Sequence, residues 1–121
     1  MTFAHRWLTP KLAVAPQLTI DDVSAIKAAG FQSVICNRPD HEDGPGAGQP
    51  TQQEIAAALS AQGIRFAYHP VTSGGHTDEQ AIEMGRLMNE LPSPMLAYCR
   101  SGNRCIGLIS LAKSLGQDVP E

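Results

Sequence analysis

The chain has 121 residues, 42% of them hydrophobic and 17% charged, which predicts a single folded domain over residues 1–121. Its formal net charge is −3 without a run of Lys or Arg, which argues against nucleic-acid and membrane-surface binding. The sequence has no secretory signal and no apolar run long enough to span a bilayer. Its three widely spaced cysteines favour a reducing cytoplasm over a disulfide framework.

Three segments share one helix-start signature, a Thr followed three residues later by an acidic residue or Gln. These predicted capping boxes are Thr19–Asp22, Thr51–Glu54 and Thr77–Gln80. The helices that they start are expected to end before Gly30, Gly63 and Pro92. A fourth helix is predicted from the apolar stripe that runs from Cys105 to Leu115, before Gly116.

Short apolar runs between these helices predict strands over Leu12–Ala15, Ser33–Asn37, Arg65–His69 and Met95–Tyr98. The alternation of strand and helix predicts a three-layer α/β fold, with helices flanking a mostly parallel sheet of about four strands. The Gly-rich stretch Pro39–Pro50 is expected to be a polar, mobile loop at the rim of a pocket.

The segment between the last predicted strand and the fourth helix contains the candidate catalytic residues. A loop that enters a helix aims backbone N–H groups at one point, where the helix dipole is positive. A cysteine in such a place is acidified, so Cys99 is the predicted nucleophile. Arg104 is predicted to bind an anionic substrate through its planar fork of donors. The remaining residues of the predicted anion-binding loop are Arg100, Ser101, Gly102, Asn103 and Cys105.

Other polar residues are expected to have ordinary roles. Cys36 lies within a predicted strand and is expected to be packed. Cys105 is expected to pack in the fourth helix, with a resolving thiol for Cys99 as the alternative. The histidines show no metal-ligand spacing, so no metal or cofactor is predicted, and surface or structural roles are favoured for His69 and His76. The acidic residues of the Gly-rich loop would supply an acid only if that loop folded over the pocket.

Two family resemblances follow from these residues. The segment Tyr98–Arg104 resembles the active-site loop of rhodanese-type sulfurtransferases, Cys-Arg-x-Gly-x-Arg. The wider chain, from about Leu8 to Leu115, resembles the phosphatase-like domain of beta-lactamase-hydrolase-like proteins, most clearly over Leu12–Ala15, Gln17–Thr19, Gly30–Pro39 and Tyr68–Thr72. This resemblance implies a dual-specificity phosphatase fold, in a domain that occurs alone or fused to a persulfide dioxygenase of metallo-beta-lactamase type.

The resemblance implies two reactions. Protein tyrosine phosphatases place five residues between Cys and Arg, whereas four separate Cys99 from Arg104 here. Those phosphatases also have an acidic Asp after the third predicted strand, where Pro70–His76 has no carboxylate and Asp78 already belongs to a helix. An ester oxygen needs that acid as it leaves, and sulfite does not. We therefore predict a sulfurtransferase that moves sulfane sulfur from thiosulfate or a persulfide to a thiol, through a Cys99 persulfide.

Two alternatives remain open: a phosphatase with Cys99 as nucleophile, and a catalytically silent module that binds an anion or a partner protein. The resembling domain usually continues into a further helix, so the chain is expected to be a short or truncated version. An apolar face left by that missing helix is expected to be covered by a partner or by a homodimer. A persulfide dioxygenase is the partner that the resemblance implies.

Overall fold

The computed structural model describes residues 2–74 and 76–121, so Gly75 of the predicted Pro70–His76 loop lies outside the described residues. The strands are β1 (Arg6–Thr9), β2 (Leu12–Ala15), β3 (Ser33–Cys36), β4 (Arg65–Tyr68) and β5 (Met95–Tyr98). The helices are α1 (Val23–Ala28), which a 3₁₀ turn over Ile20–Asp22 precedes, α2 (Gln52–Ala61), α3 (Asp78–Glu90) and α4 (Asn103–Ser114). No helix of the described chain is long and apolar enough to cross a membrane.

The sheet has five strands in the order β1-β2-β5-β3-β4. Strands β2, β5, β3 and β4 are parallel, and β1 pairs antiparallel with β2 at one edge. The last residue of β5, Tyr98, lies opposite the last residues of its neighbours, Ala15 and Cys36. The loops that follow these strands therefore meet at one edge of the sheet, where open α/β folds bind ligands.

The four predicted strands and the mostly parallel α/β fold are confirmed, with small differences. Strand β3 ends at Cys36 and β4 at Tyr68, so Asn37 and His69 already belong to the loops. The prediction of about four strands omitted β1, whose residues are exposed or half-buried and show no apolar run. A short, largely exposed edge strand of this kind carries little signal in the sequence.

Helices cover both faces of the sheet, which gives the three predicted layers. Alternate residues of β5 point to opposite faces, as the period of a strand requires. Leu96 and Tyr98 belong to the core under α1 and α2, whereas Met95, Ala97 and Cys99 belong to the core under α3 and α4. Cys99 thus faces the helix α4 that its own loop begins.

The predicted helix starts are also present. Thr51 Oγ1 accepts a hydrogen bond from the Glu54 amide at 3.2 Å, and Thr77 and Gln80 form a reciprocal capping box. These caps satisfy amide groups that have no partner inside the helix. Since α3 starts at this cap, the loop between β4 and α3 is held at both ends beside Cys99.

Candidate active site

The segment from Cys99 to Arg104 runs from the end of the central strand β5 into the first turn of α4. Gly102 immediately precedes the helix with φ +94°, in the left-handed region that favours glycine. The Gly102 amide donates a hydrogen bond of 3.1 Å to Cys99 Sγ. The loop therefore wraps around a sulfur atom and points amide protons at it, as the sequence predicts.

The surroundings of Cys99 make its thiol acidic. A hydrogen bond from the Cys105 thiol, together with backbone amides of Cys105, Ser101 and Gly102, outweighs burial and lowers the pKa of Cys99 to about 5. Burial raises the pKa of Cys105 well above its usual range, so Cys105 keeps the proton that it donates. At neutral pH Cys99 is a thiolate, which is the form that attacks electrophiles.

Arg104 is buried and held by several acceptors. Its Nη1 donates to the carbonyl oxygens of Asn37 at 3.3 Å and Val71 at 3.0 Å. Both terminal nitrogens contact the Glu42 carboxylate at 3.0 Å, in a two-pronged ion pair. The Nε atom is buried and has no hydrogen-bond partner among residues 2–74 and 76–121. Arg104 is therefore fixed in place, and its Nε–H is left unpaired by the described residues.

Glu42 corrects the expectation that the Gly-rich loop forms only a polar rim of the pocket. The loop folds over this end of the sheet and brings Glu42 to Arg104 and also to Arg38 Nε at 3.0 Å. Burial alone would raise the pKa of Glu42, but hydrogen bonds from Arg104 and Arg38 outweigh it and lower that pKa. Glu42 is an ionised anchor for both arginines and a poor proton donor.

Arg38 is a buried residue beside the site that sequence reasoning missed. Its side chain is only 4% exposed, and besides Glu42 it contacts Asp43 at 2.9 Å and Gln17 at 3.0 Å. Arg38 ties the Gly-rich loop to the end of β3 and so fixes the position of Glu42. An arginine placed directly after a buried strand and followed by three acidic residues within five positions was the available signal.

A cavity of about 360 Å³ opens beside Cys99. Its lining residues come from the predicted loop and from the segment between β4 and α3, and they are Ser73, Gly74, His76, Cys99, Arg100, Ser101, Asn103 and Arg104. Cys99 is 1% exposed and lies at the floor of this cavity. The predicted loop residues Gly102 and Cys105 lie behind the lining, where they support the sulfur rather than contact a ligand.

The remaining predicted residues have varied surroundings. Arg100 lines the cavity and is 66% exposed, and its Nη1 lies 3.3 Å from Asp43 Oδ1, which offsets part of its positive charge. Cys36 is packed as expected and donates to the Arg38 carbonyl at 3.3 Å. His69 is not among the cavity-lining residues, and its Nδ1 lies 3.0 Å from Asn37 Nδ2.

Comparisons with known proteins identify the family. The model of the "Beta-lactamase hydrolase-like protein, phosphatase-like domain" family matches residues 4–116. The chain belongs to this family. A beta-lactamase hydrolase-like protein from Agrobacterium fabrum is 31% identical over 108 residues, which are 89% of this chain and 24% of that protein. This phosphatase-like domain thus spans about a quarter of the length of the curated relatives that it matches.

Solved structures agree with the fold of this phosphatase-like domain. A phosphatase candidate from Neisseria meningitidis is 35% identical with a TM-score of 0.78, over 84% of this chain and 70% of that one. The core catalytic domain of the PP-IP phosphatase SIW14 from S. cerevisiae is 15% identical with a TM-score of 0.72, over 92% of this chain and 65% of that one. The domain therefore has a phosphatase-like fold, and the comparisons fit the phosphatase alternative better than sulfur transfer.

Proposed function

We propose that this phosphatase-like domain hydrolyses phosphate monoesters through a covalent phosphocysteine at Cys99. The observation that carries the proposal is the pairing of a thiolate with a fixed arginine in one cavity. Cys99 has a pKa of about 5, and Arg104 retains an Nε donor without a partner in the described chain. A phosphate dianion matches both features, because it is an electrophile at phosphorus and presents several oxygen atoms to fixed donors.

The reaction has two displacements. Cys99 Sγ first forms a bond to phosphorus while the ester P–O bond breaks, and the alcohol leaves with a proton. Water then forms a new O–P bond while the S–P bond breaks, which releases inorganic phosphate and restores the thiolate. In both steps Arg104 and the loop amides stabilise the charge on the phosphoryl oxygens, which is where phosphoryl transfer needs electrostatic help.

Sulfur transfer is the second candidate, and one specific observation favours it. Only four residues separate Cys99 from Arg104, which is the spacing of the rhodanese-type loop described above. In this reaction Cys99 Sγ bonds to the outer sulfur of thiosulfate, the S–S bond of the donor breaks, and sulfite leaves with its electron pair. The resulting persulfide anion would be held by the same loop amides and passed to a thiol.

Two parallel assays separate the candidates. One measures phosphate release from 4-nitrophenyl phosphate, and the other measures thiocyanate formed from thiosulfate and cyanide. The test variant is Cys99→Ser, and the matched control is Cys36→Ser, because a serine hydroxyl can keep the hydrogen bond from residue 36 to the Arg38 carbonyl. We expect phosphate release by the wild type and the control, and a loss of at least about 10³-fold in Cys99→Ser.

The other outcomes contradict the proposal in different ways. Thiocyanate formation that depends on Cys99, without phosphate release, would establish the sulfurtransferase instead. The absence of Cys99-dependent turnover in both assays would favour the catalytically silent binding module. Phosphate release that survives in Cys99→Ser would show that the nucleophile has been wrongly assigned.

A further inference from the structure

The proposed reaction needs a proton donor for the departing alcohol, and the carboxylates of the site do not supply one. An alkoxide or phenoxide is a poor leaving group unless an acid protonates it in the transition state. No Asp or Glu is among the residues described as lining the cavity. Glu42 is ionised and engaged by Arg38 and Arg104, and Asp78 lies exposed in the first turn of α3.

His76 is the one imidazole among the residues described as lining the cavity. It lies in the segment between β4 and α3 and lines the same cavity as Cys99 and Arg104. Its imidazole packs against α4 at Gly107, where an added Cβ would lie 3.0 Å from Cε1 and 3.3 Å from Nε2. Gly107 and Arg104 are three residues apart, so they share one face of α4.

The glycine itself indicates that the ring position matters. A glycine inside a helix costs about 1 kcal/mol relative to alanine, so its presence calls for a packing reason. In α4 that reason is the imidazole, because any side chain at position 107 would push the ring away from the helix and from the Cys99–Arg104 loop. The close approach of His76 to the site is thus built into α4.

The hydrogen bonding of His76 differs from that of a structural histidine. Buried side-chain nitrogen atoms almost always have a hydrogen-bond partner. His76 Nδ1 is buried and has none within the part of the chain that the structure describes. By contrast, His69 is paired with Asn37 and lies away from the cavity. Packing, rather than a structural hydrogen bond, holds the His76 ring beside the cavity.

We propose that His76 is the general acid of the phosphate-ester reaction. As Cys99 Sγ bonds to phosphorus, the electron pair of the breaking P–O bond goes to the leaving oxygen, which takes a ring N–H proton from the His76 imidazolium. The neutral imidazole then takes a proton from the water that attacks phosphocysteine, which regenerates the imidazolium and the thiolate. Imidazole is the side chain most often used for such transfers.

The inference rests on the proposed function and is tested by varying the leaving group. The esters are 2,4-dinitrophenyl phosphate, whose leaving group needs no proton, and phenyl phosphate, whose leaving group does. We expect His76→Asn to lower kcat/KM for phenyl phosphate by about 10²-fold or more, the usual contribution of a general acid. The same variant is expected to stay within about 3-fold of wild type on the dinitrophenyl ester. His5→Asn, at an exposed histidine outside this cavity, is the matched control.

A second variant keeps the imidazole but moves it. Gly107→Ala places a methyl group 3.0 Å from the His76 ring, and we expect the same dependence on the leaving group with a smaller loss. Equal losses on both esters in an active enzyme would overturn the role of His76 and leave the phosphatase proposal standing. No hydrolysis of either ester by the wild type would overturn the phosphatase proposal, and this inference with it.

Discussion

Replacing Glu42 by Gln tests whether the Gly-rich loop is held by its carboxylate. Glu42 Oε1 lies 3.0 Å from Arg38 Nε and 3.0 Å from Arg104 Nη2, and Oε2 lies 3.0 Å from Arg104 Nη1. The amide of Gln keeps one acceptor and turns an N–H₂ group toward a guanidinium that also donates. The substitution therefore removes the negative charge from the contacts with Arg38 and Arg104, and it replaces one of the two acceptor oxygens by a donor.

The expected loss of stability follows from these contacts. Hydrogen bonds to charged groups contribute about 1.5–3 kcal/mol each, and breaking a buried ion pair costs about 3–5 kcal/mol. Arg104 keeps its bonds to the Asn37 and Val71 carbonyls, and Arg38 keeps Asp43, so part of this stabilisation survives. We expect Glu42→Gln to lower the free energy of unfolding by about 2–4 kcal/mol at pH 7.

The pH dependence of this loss has a definite sign. The native pKa of Glu42 lies below its unfolded value, so its contribution is complete above the unfolded pKa and disappears as pH falls through the native pKa. The difference between wild type and Glu42→Gln should shrink over that acid range.

The assay for Glu42→Gln is urea unfolding at a series of pH values. Glu79→Gln is the control, because Glu79 is an exposed carboxylate in the first turn of α3. A difference below about 0.5 kcal/mol at pH 7, the usual size of surface effects, would refute the reasoning. So would a difference that stays constant as the pH falls.

Further predictions concern the loop. The rate at which iodoacetamide alkylates Cys99 should rise with pH, with a midpoint near pH 5. Cys105→Ala should move that midpoint to higher pH, because the strongest hydrogen bond to the thiolate is lost. An unchanged midpoint would show that Cys105 does not stabilise the thiolate. Arg104→Lys should lower kcat/KM for aryl phosphates by about 10²-fold, because the two terminal nitrogens and Nε of the guanidinium are all lost. Full activity of this variant would contradict the role of Arg104. Gly102→Ala should cost about 1–2 kcal/mol in urea unfolding because φ is +94°, whereas unchanged stability would show that the loop adopts another conformation.

Local signals in the sequence account for most of the fold. The capping residues Thr51 and Thr77 and the apolar runs that became β2 and β5 act over a few neighbouring residues, so they can be recognised without the tertiary structure. The position of Cys99 after the central strand followed from the same signals. Strand β1 was missed because it is a short, largely exposed edge strand whose pairing with β2 is decided by the sheet.

The parts of the site that the sequence did not predict depend on contacts between distant segments. Glu42 reaches Arg104 only because the Gly-rich loop folds back, with Gly44, Gly46 and Gly48 all at positive φ. No periodic pattern encodes such a path. The proximity of His76 to Gly107 likewise joins two elements that are 31 positions apart. The glycine at position 107, inside α4, was the one local hint of that approach.

The nature of the group carried by Cys99 is the most direct test of the account. The protein is mixed with an aryl phosphate or with thiosulfate, quenched at alkaline pH in denaturant during turnover, and the Cys99 peptide is weighed by mass spectrometry. We predict a gain of one phosphoryl group with the aryl phosphate, and no gain at that position in Cys99→Ser. Turnover without a phosphoryl adduct on Cys99, or a gain of one sulfur atom from thiosulfate alone, would contradict the phosphocysteine mechanism.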